Sequence, residues 1–328
     1  MEEGAFEERT AYVERDVPER VRIFTEALEN GITWFDTTWK NEVFMLGKVL
    51  KETGCRDRIR VNGMVLGAFS GPPHFGISDE QYFNRYLEER LPHVGHFDSF
   101  MINAIEEKYD EARCGNLLTL LDGRRTAGDI GVVGFSCHDP FFARKVADRF
   151  PEFQAVMIPY SYHNRRFEKA FESYQGHASF IAMKTLVWLE YGIPFCAINS
   201  FHNFEERFGF EKRADIAVLA WRFVLGHPRI SLLVSSVNTD EDARLLATAG
   251  EGGLSPEDEI VLGKYAEAVK RGSSRELFLS GLMTENLRMN YFACLNLARL
   301  ENRLMPHTRL NEPDAARKIQ EFGRTFHA

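Results

Sequence analysis

Acid–base chemistry is the reactivity that the polar side chains of this chain could support. These residues follow short apolar runs that are typical of strands, and the carboxyl ends of parallel strands meet at one edge of a sheet. The candidate acid–base residues are Asp36, Lys184, His138 and His163. The candidates for orienting a substrate are Trp39, Lys40, Asn62, Asn103, Ser136, Tyr160 and His202.

Two of these groups leave alternatives open. Lys184 could be a buried cation paired with Asp36 or another acid, or a desolvated amine that attacks a carbonyl carbon. His138, Asp139 and His163 could form an acid–base group or hold a metal ion. Their spacing matches no metal-ligand motif, so we expect no metal. The polar set as a whole suits a small oxygen-rich ligand such as a sugar or hydroxy acid.

Short β-rich apolar runs alternate with amphipathic segments along the chain, the pattern of a parallel sheet built from βα units. The predicted strands are residues 32–37, 58–65, 97–102, 130–136, 155–160, 180–186 and 230–235. The predicted helices are residues 18–29, 42–51, 79–91, 109–121, 140–149, 167–173, 213–225 and 240–249. Seven strands are one short of the eight that close a (β/α)8 barrel.

The two ends of the chain are the irregular parts of this prediction. The N-terminal segment is the place for an eighth strand, but only Thr10–Val13 has strand-like residues there. Either this segment supplies a first strand of unusual form, or the barrel is modified at that seam. Residues 255–328 are expected to form a helical extension, and Ser255-Pro256-Glu257-Asp258 has the cap, proline and acids of a helix start. No linker composition divides the chain. A single domain over residues 1–328 is therefore predicted, with the barrel at about 10–254.

Composition excludes several classes of function. The 328 residues carry a net charge of −8 with basic residues interleaved among acidic ones, so nucleic acid is not an expected partner. The sequence shows no N-terminal signal segment and no run of roughly 18 apolar residues, so we expect a soluble cytoplasmic protein that contacts no membrane. The five cysteines lack CxxC spacing, which argues against disulfides and local metal clusters.

The segment Gly31–Thr38 reads GITWFDTT and is followed by Glu42 and by LGKVL at Leu46–Leu50. It resembles the GxxxxDTA, E and LGxAL segment of the aldo/keto reductase family. Gly131–Ser136 also resembles that family, and Ile181–Leu186 matches the IAMKxL text of its bacterial branches. The resemblance covers roughly residues 18–250. It implies an α/β fold of the (β/α)8, or TIM barrel, type.

The resemblance also implies a catalytic tetrad, most of which this chain has replaced. The family uses an aspartate after its second strand, a tyrosine five residues later, a lysine ending the third strand and a histidine ending the fourth. Here Asp36 occupies the aspartate position, Asn41 the tyrosine position and Asn103 the histidine position. The lysine position falls on Met64, or on Gly63 if the alignment slips by one residue. With only Asp36 retained, the chain is predicted to be a divergent member.

The positions that the resemblance assigns to the nicotinamide cofactor are altered too. Cys137 and Met157 replace an asparagine and a glutamine, and Asp242 lies near an arginine position that would hold a 2′-phosphate. An acid there repels a phosphate. The sequence contains no glycine-rich dinucleotide fingerprint. We therefore expect no cofactor and assign no cofactor-binding residues, while a weakened NADP site stays open.

These observations give one leading hypothesis and two alternatives. The leading one is an enzyme that has left NADPH-dependent reduction and acts on a small polar carbonyl or sugar-like metabolite by proton transfer, as a lyase or isomerase. Asp36 and Lys184 would be its acid–base pair. The first alternative is an inert ligand-binding protein or complex subunit, with homo-oligomer or partner contacts through C-terminal helices at residues 270–300. The second is a divergent NADP-dependent carbonyl oxidoreductase.

Overall fold

The computed structural model describes residues 17–65, 78–103, 111–162, 164–188, 193–194, 213–250 and 253–271. Its strands are β1 (Trp34–Thr37), β2 (Arg60–Val65), β3 (Phe97–Ile102), β4 (Ile130–Ser136), β5 (Ala155–Pro159), β6 (Ser179–Met183), β7 (Val187–Trp188), β8 (Ile193–Pro194) and β9 (Ile230–Leu233). Its helices are α1 (Val17–Glu29), α2 (Lys40–Thr53), α3 (Asp79–Val94), α4 (Glu111–Thr126), α5 (Pro140–Arg149), α6 (Glu168–Ser173), α7 (Arg213–Leu225), α8 (Asp240–Ala249) and α9 (Pro256–Arg271). A 3-10 turn spans Arg56–Arg58.

Seven of the strands form one parallel sheet in the order β1-β2-β3-β4-β5-β6-β9, whereas β7 and β8 pair separately and antiparallel. The seven predicted strands and their parallel arrangement are confirmed. β6 ends at Met183, three residues earlier than predicted, because Lys184 has a φ of 54° and leaves the extended conformation. The predicted strand at Thr10–Val13 lies outside the described residues.

The described residues fall into two compact units. The first takes in those of 1–159, 166–183 and 227–251, which include the whole parallel sheet, and the second takes in the remainder. In the second unit α9 begins as predicted, since the Ser255 hydroxyl accepts a hydrogen bond from the Asp258 N–H at 3.1 Å. The rest of the predicted extension, residues 272–328, lies outside the described ranges. The single domain stays a prediction.

One face of the parallel sheet carries a cluster of apolar side chains from alternate strand positions. Its buried members are Met64, Met101, Ala155, Met157 and Ile181, and Trp34, Met183, Leu232 and Val234 pack against them. Alternation places Asp36 on the same face as Trp34, and Asn62 on the same face as Met64. Two polar residues therefore lie beside an apolar cluster on this inner face.

The opposite face of the sheet packs against the helices through aromatic rings. Phe100 of β3 contacts Phe83 and Tyr86 of α3 with ring centroids 5.5 and 5.9 Å apart. Gly63 lies on this outer face, where an added Cβ would stand 2.7 Å from Phe97 and 2.8 Å from Phe100. Because the rings leave no room for a side chain at residue 63, the inner face of β2 must be the face of Asn62 and Met64.

Candidate active site

Asp36 lies near the carboxyl end of β1 and is partly exposed. Its Oδ1 accepts a hydrogen bond of 2.6 Å from Asn62 Nδ2, and its Oδ2 accepts a longer one of 3.4 Å from the Thr38 hydroxyl. Burial raises the pKa of Asp36 to about 6, the hydrogen bond from Asn62 opposes that rise, and the negative charge of Glu42 adds to it. Asp36 can therefore gain and lose a proton close to neutral pH.

Asn62 of β2 contacts Asp36 directly, and Ser99 of β3 contacts Asn62. Asn62 is fully buried, and its Oδ1 accepts a hydrogen bond of 2.7 Å from the Ser99 hydroxyl. Both ends of the Asn62 amide are thus bonded within the protein. The prediction that Asn62 orients substrate oxygens stays a prediction, and the structure shows that its amide contacts Asp36.

Met64 lies where the sequence comparison expected a lysine. Its side chain is 3 % exposed, belongs to the apolar cluster, and has its Sδ 3.9 Å from the Thr38 hydroxyl that reaches Asp36. The alternative position, Gly63, faces the helices. Within the described residues, no lysine or arginine is among the groups that shift the pKa of Asp36. In this part of the chain, the groups that act on Asp36 are neutral hydrogen-bond donors and the like charge of Glu42, and burial leaves its pKa raised.

Asn103 and Ser136 form a second polar pair, at the carboxyl ends of β3 and β4. Asn103 follows β3 directly, and its backbone N–H donates to the Val65 carbonyl at 3.1 Å. The Ser136 hydroxyl donates to Asn103 Oδ1 at 2.9 Å. This bond occupies the accepting end of the Asn103 amide, which leaves its Nδ2 group as the end that can donate to a substrate oxygen.

The start of α2 follows β1 after two residues, Thr38 and Trp39, and contains Lys40, Asn41 and Glu42. The Glu42 carboxylate accepts hydrogen bonds from the Thr38 and Trp39 N–H groups at 2.7 and 2.9 Å, so it closes the helix N-terminus. Lys40 forms an ion pair of 2.8 Å with Glu89 of α3. Asn41, five residues after Asp36, lies within the helix at the position where the resemblance would place a tyrosine.

The imidazole candidates are only partly described. His138 is half-buried in the short loop between β4 and α5, and His163 and His202 lie outside the described residues. The neighbouring Asp139 caps α5 by accepting a hydrogen bond of 2.6 Å from the Phe142 N–H. The Cys137 thiol is buried and donates to the Asp139 carbonyl at 3.3 Å. Asp139 and Cys137 therefore have local structural roles beside His138.

Two further candidates, Tyr160 and Lys184, belong to the second unit. Tyr160 is 1 % exposed and stacks on Phe223 of α7, with ring centroids 5.8 Å apart. Lys184 is exposed and is the one non-glycine residue with a positive φ among those described. Left-handed backbone at a non-glycine residue costs roughly 1 kcal/mol or more and often marks functional positions. The roles predicted for both residues stay predictions.

The start of α8, just after β9, is the place where the resemblance puts a cofactor phosphate. Here the Asp242 carboxylate accepts hydrogen bonds from the Asn238 and Thr239 N–H groups at 2.9 and 3.0 Å. Asp240 and Glu241 add two more acids to this first helical turn. Two N–H groups at this helix start are therefore bonded to the chain's own carboxylate, and the Asp242 N–H is bonded to the Thr239 hydroxyl.

Among the described residues, no group of three or more His, Cys, Asp or Glu side chains could hold a metal ion. In the same part of the chain, no helix has both the length and the apolar character needed to cross a membrane.

Solved structures provide the comparison with known proteins. No protein-family profile and no curated protein sequence matches the chain. An aldo/keto reductase from Klebsiella pneumoniae, in complex with NADP and acetate, is 16 % identical over 77 % of this chain and 86 % of its own, with a TM-score of 0.59. The holo form of an aldo-keto reductase from Bacillus halodurans is 19 % identical over 79 % and 91 %, with a TM-score of 0.57.

These similarities show the fold. The parallel sheet with alternating helices is that of the aldo/keto reductase (β/α)8 barrel, as the sequence resemblance predicted. At this level of identity the comparison does not extend to the reaction.

Sequence reasoning identified Asp36 and Asn62 but gave no role to Ser99. A signal for it exists in the alternation of β3, because Ser99 and Met101 must share a face. The register pairs Asp36 with Asn62 and Asn62 with Ser99. That register depends on contacts between strands that no single strand's sequence shows.

Proposed function

We propose that the chain is an enzyme with the aldo/keto reductase fold that acts on a small polar carbonyl or sugar-like metabolite by proton transfer. Asp36 is its acid–base group. The observation that carries this proposal is the environment of Asp36, a partly exposed carboxyl beside Met64 with its pKa raised to about 6. A group with a pKa near the working pH is the effective kind of general acid or base.

The reaction that fits these residues is removal of a proton from a carbon next to a carbonyl group. The Asp36 carboxylate takes the proton, and the electron pair of the broken C–H bond moves into the enolate. The Asn103 Nδ2 group, whose amide is oriented by Ser136, donates a hydrogen bond to the oxygen that becomes negative. In an α-hydroxy carbonyl substrate, the hydroxyl proton moves to the former carbonyl oxygen and the proton on Asp36 returns to the former carbonyl carbon, which gives an isomer. Departure of a leaving group from the carbon next to the enolate gives a lyase product.

The local geometry near α8 fits a nicotinamide dinucleotide phosphate poorly. The Asp242 carboxylate accepts from the Asn238 and Thr239 N–H groups at this helix start, and the acids of the first turn repel a phosphate. Met157, at a position that the resemblance gives to a glutamine, is buried in the apolar cluster. The proposed reaction therefore uses no nicotinamide cofactor.

A divergent NADP-dependent oxidoreductase is the second candidate. The observation that favours it is the pair of similar Klebsiella pneumoniae structures, one in complex with NADP and acetate and one with NADPH. The two candidates differ in a measurable way, because a reductase consumes NADPH whereas a proton-transfer enzyme exchanges substrate hydrogen with solvent.

The test is solvent deuterium exchange into a panel of small hydroxy ketones, keto acids and aldoses, followed by NMR. We expect exchange that increases with pH through about 6 as Asp36 ionises, and a fall of about 10² to 10⁴ in rate for Asp36→Asn. Asp122→Asn is the matched control, because Asp122 lies on exposed helix surface next to Arg125. Reduction of the panel with consumption of NADPH, in place of exchange, would overturn the proposal.

A further inference from the structure

The hydrogen bonds that support Asp36 run in one direction. A carbonyl oxygen can only accept, so the Ser99 hydroxyl must donate to Asn62 Oδ1 across 2.7 Å. The ionised Asp36 carboxylate can only accept, so the Asn62 Nδ2 group faces its Oδ1 across 2.6 Å, and this bond sets which way the Asn62 amide points. Both supporting residues are buried, with Asn62 at 0 % and Ser99 at 6 % exposure. Water therefore does not compete for these bonds.

The sheet itself holds the three residues in line. Asp36 pairs with Asn62 in the register of β1 and β2, and Asn62 pairs with Ser99 in the register of β2 and β3. The Thr37 hydroxyl adds a bond of 2.6 Å to the Asn62 carbonyl. Backbone pairing thus fixes the positions of the three residues, and the side chains set the direction of the hydrogen bonds.

The two carboxylate oxygens of Asp36 consequently differ in their hydrogen bonds. A proton on Oδ1 would face the Asn62 N–H and disrupt a short hydrogen bond, whereas Oδ2 has the longer contact of 3.4 Å with Thr38. We infer that Ser99 and Asn62 are positioning residues that keep Oδ1 as a permanent acceptor, so that Oδ2 is the oxygen that takes up and releases the proton.

The charged and titratable groups around Asp36 do not supply this asymmetry. Glu42 of α2 raises the pKa of Asp36 as a like charge. Tyr86 of α3 is also within electrostatic range, but its phenol is buried and donates to the Met64 carbonyl at 2.6 Å. Burial raises the pKa of Tyr86 above its ordinary value, so this group stays neutral.

This inference rests on the proposed function, in which Asp36 Oδ2 would be the atom that exchanges a proton with the substrate. It can nevertheless be tested without a substrate. In full-length protein labelled with ¹³C and ¹⁵N, the Asp36 carboxyl carbon reports the pKa, and the Asn62 side-chain amide reports its hydrogen bond. We expect one Asn62 amide proton to keep its hydrogen-bonded shift while Asp36 titrates. Collapse of that shift to a free-amide value when Asp36 is protonated would overturn the inference.

Variants separate positioning from general support of the fold. Asn62→Leu removes the donor and should raise the pKa of Asp36 by about one unit or more, and Ser99→Ala should raise it less. Ser99→Thr keeps a hydroxyl and should restore the wild-type pKa. If Asn62→Leu does not fold, the Ser99→Ala and Ser99→Thr pair decides. Equal pKa values in these two variants would contradict the inference.

The exchange assay distinguishes the two possible failures. If Ser99→Ala shifts the pKa of Asp36 but the wild-type protein exchanges hydrogen with no carbonyl compound, the positioning role holds and the proposed function fails. If wild-type exchange occurs and its pH profile is the same in Ser99→Ala, the positioning role fails and the proposed function holds.

Discussion

Two aspartates of the same sheet have opposite environments. Asp98 lies near the amino end of β3 and is bonded to Arg56 at 2.9 Å, to Arg60 at 3.2 Å and to the Val61 N–H at 2.9 Å. Although burial opposes it, the Val61 N–H and the Arg56 guanidinium hold the pKa of Asp98 below its ordinary value. Asp36, near the carboxyl end of β1, has amide and hydroxyl donors and a pKa raised to about 6.

The opposite pKa shifts of Asp36 and Asp98 indicate that the two ends of the sheet have different roles. Asp98 stays ionised and ties the starts of β2 and β3 to the preceding turn, which is a structural role. Among the described residues, Asp36 is held in one position by the neutral donors Asn62 and Thr38, and burial makes its ionised form costly in the folded protein. A carboxyl group kept in that state, on the face where this fold places its reactive groups, is a candidate for chemistry.

Introducing a cation beside Asp36 should remove the difference in pKa shift between Asp36 and Asp98. In Met64→Lys the new ammonium group would lie near Asp36, and the pKa of Asp36 should fall by about 1 to 3 units. Measurement of the Asp36 carboxyl carbon by NMR over pH checks this. Met64→Leu is the control, because it keeps an apolar side chain and should leave the pKa near 6. A pKa that stays there in the lysine variant would show that residue 64 does not face Asp36.

Removing the cation from the other site should cost stability. Arg56→Ala deletes the ion pair with Asp98 and the bonds of 2.7 and 2.8 Å to the Val94 and His96 carbonyls. We expect the free energy of unfolding to fall by about 3 kcal/mol, measured by urea denaturation at neutral pH. Arg125→Ala breaks an exposed pair with Asp122 and should cost less than about 0.5 kcal/mol. Equal losses in the two variants would contradict a structural role for Asp98.

The smallest expected effect is a gain in stability at the candidate active site. The folded protein holds the Asp36 proton up to about pH 6, whereas the unfolded chain releases it near 3.8. Ionised Asp36 therefore destabilises the native state above pH 6, and this cost disappears as the pH falls from 6 to 3.8.

Asp36→Asn should accordingly raise the free energy of unfolding by about 1 to 2 kcal/mol near pH 7.5, and the gain should shrink below about pH 6. Urea denaturation at several pH values, with Asp122→Asn as the control, measures it. A gain of the same size at every pH would show that ionisation of Asp36 is not its source.

Local patterns in the sequence were sufficient to predict the strands of the parallel sheet and part of the candidate active site. Short β-rich apolar runs located β1 to β6 and β9 within a few residues and placed Asp36 near a strand end. The same patterns could not show that Ser99 reaches Asn62 or that Lys40 pairs with Glu89, because these contacts depend on register and helix packing. The early end of β6 was also hidden, since the sequence does not show the positive φ of Lys184.

The missing Cβ of Gly63 has a consequence for how this scaffold can change. Because the rings of Phe97 and Phe100 fill the space beside it, a substitution that adds a side chain at 63 would push apart the layer between sheet and helices. A charge can therefore be introduced near Asp36 by replacing Met64 of β2. A one-residue shift in the register of β2 cannot introduce it, because another residue would then have to fit at the position of Gly63.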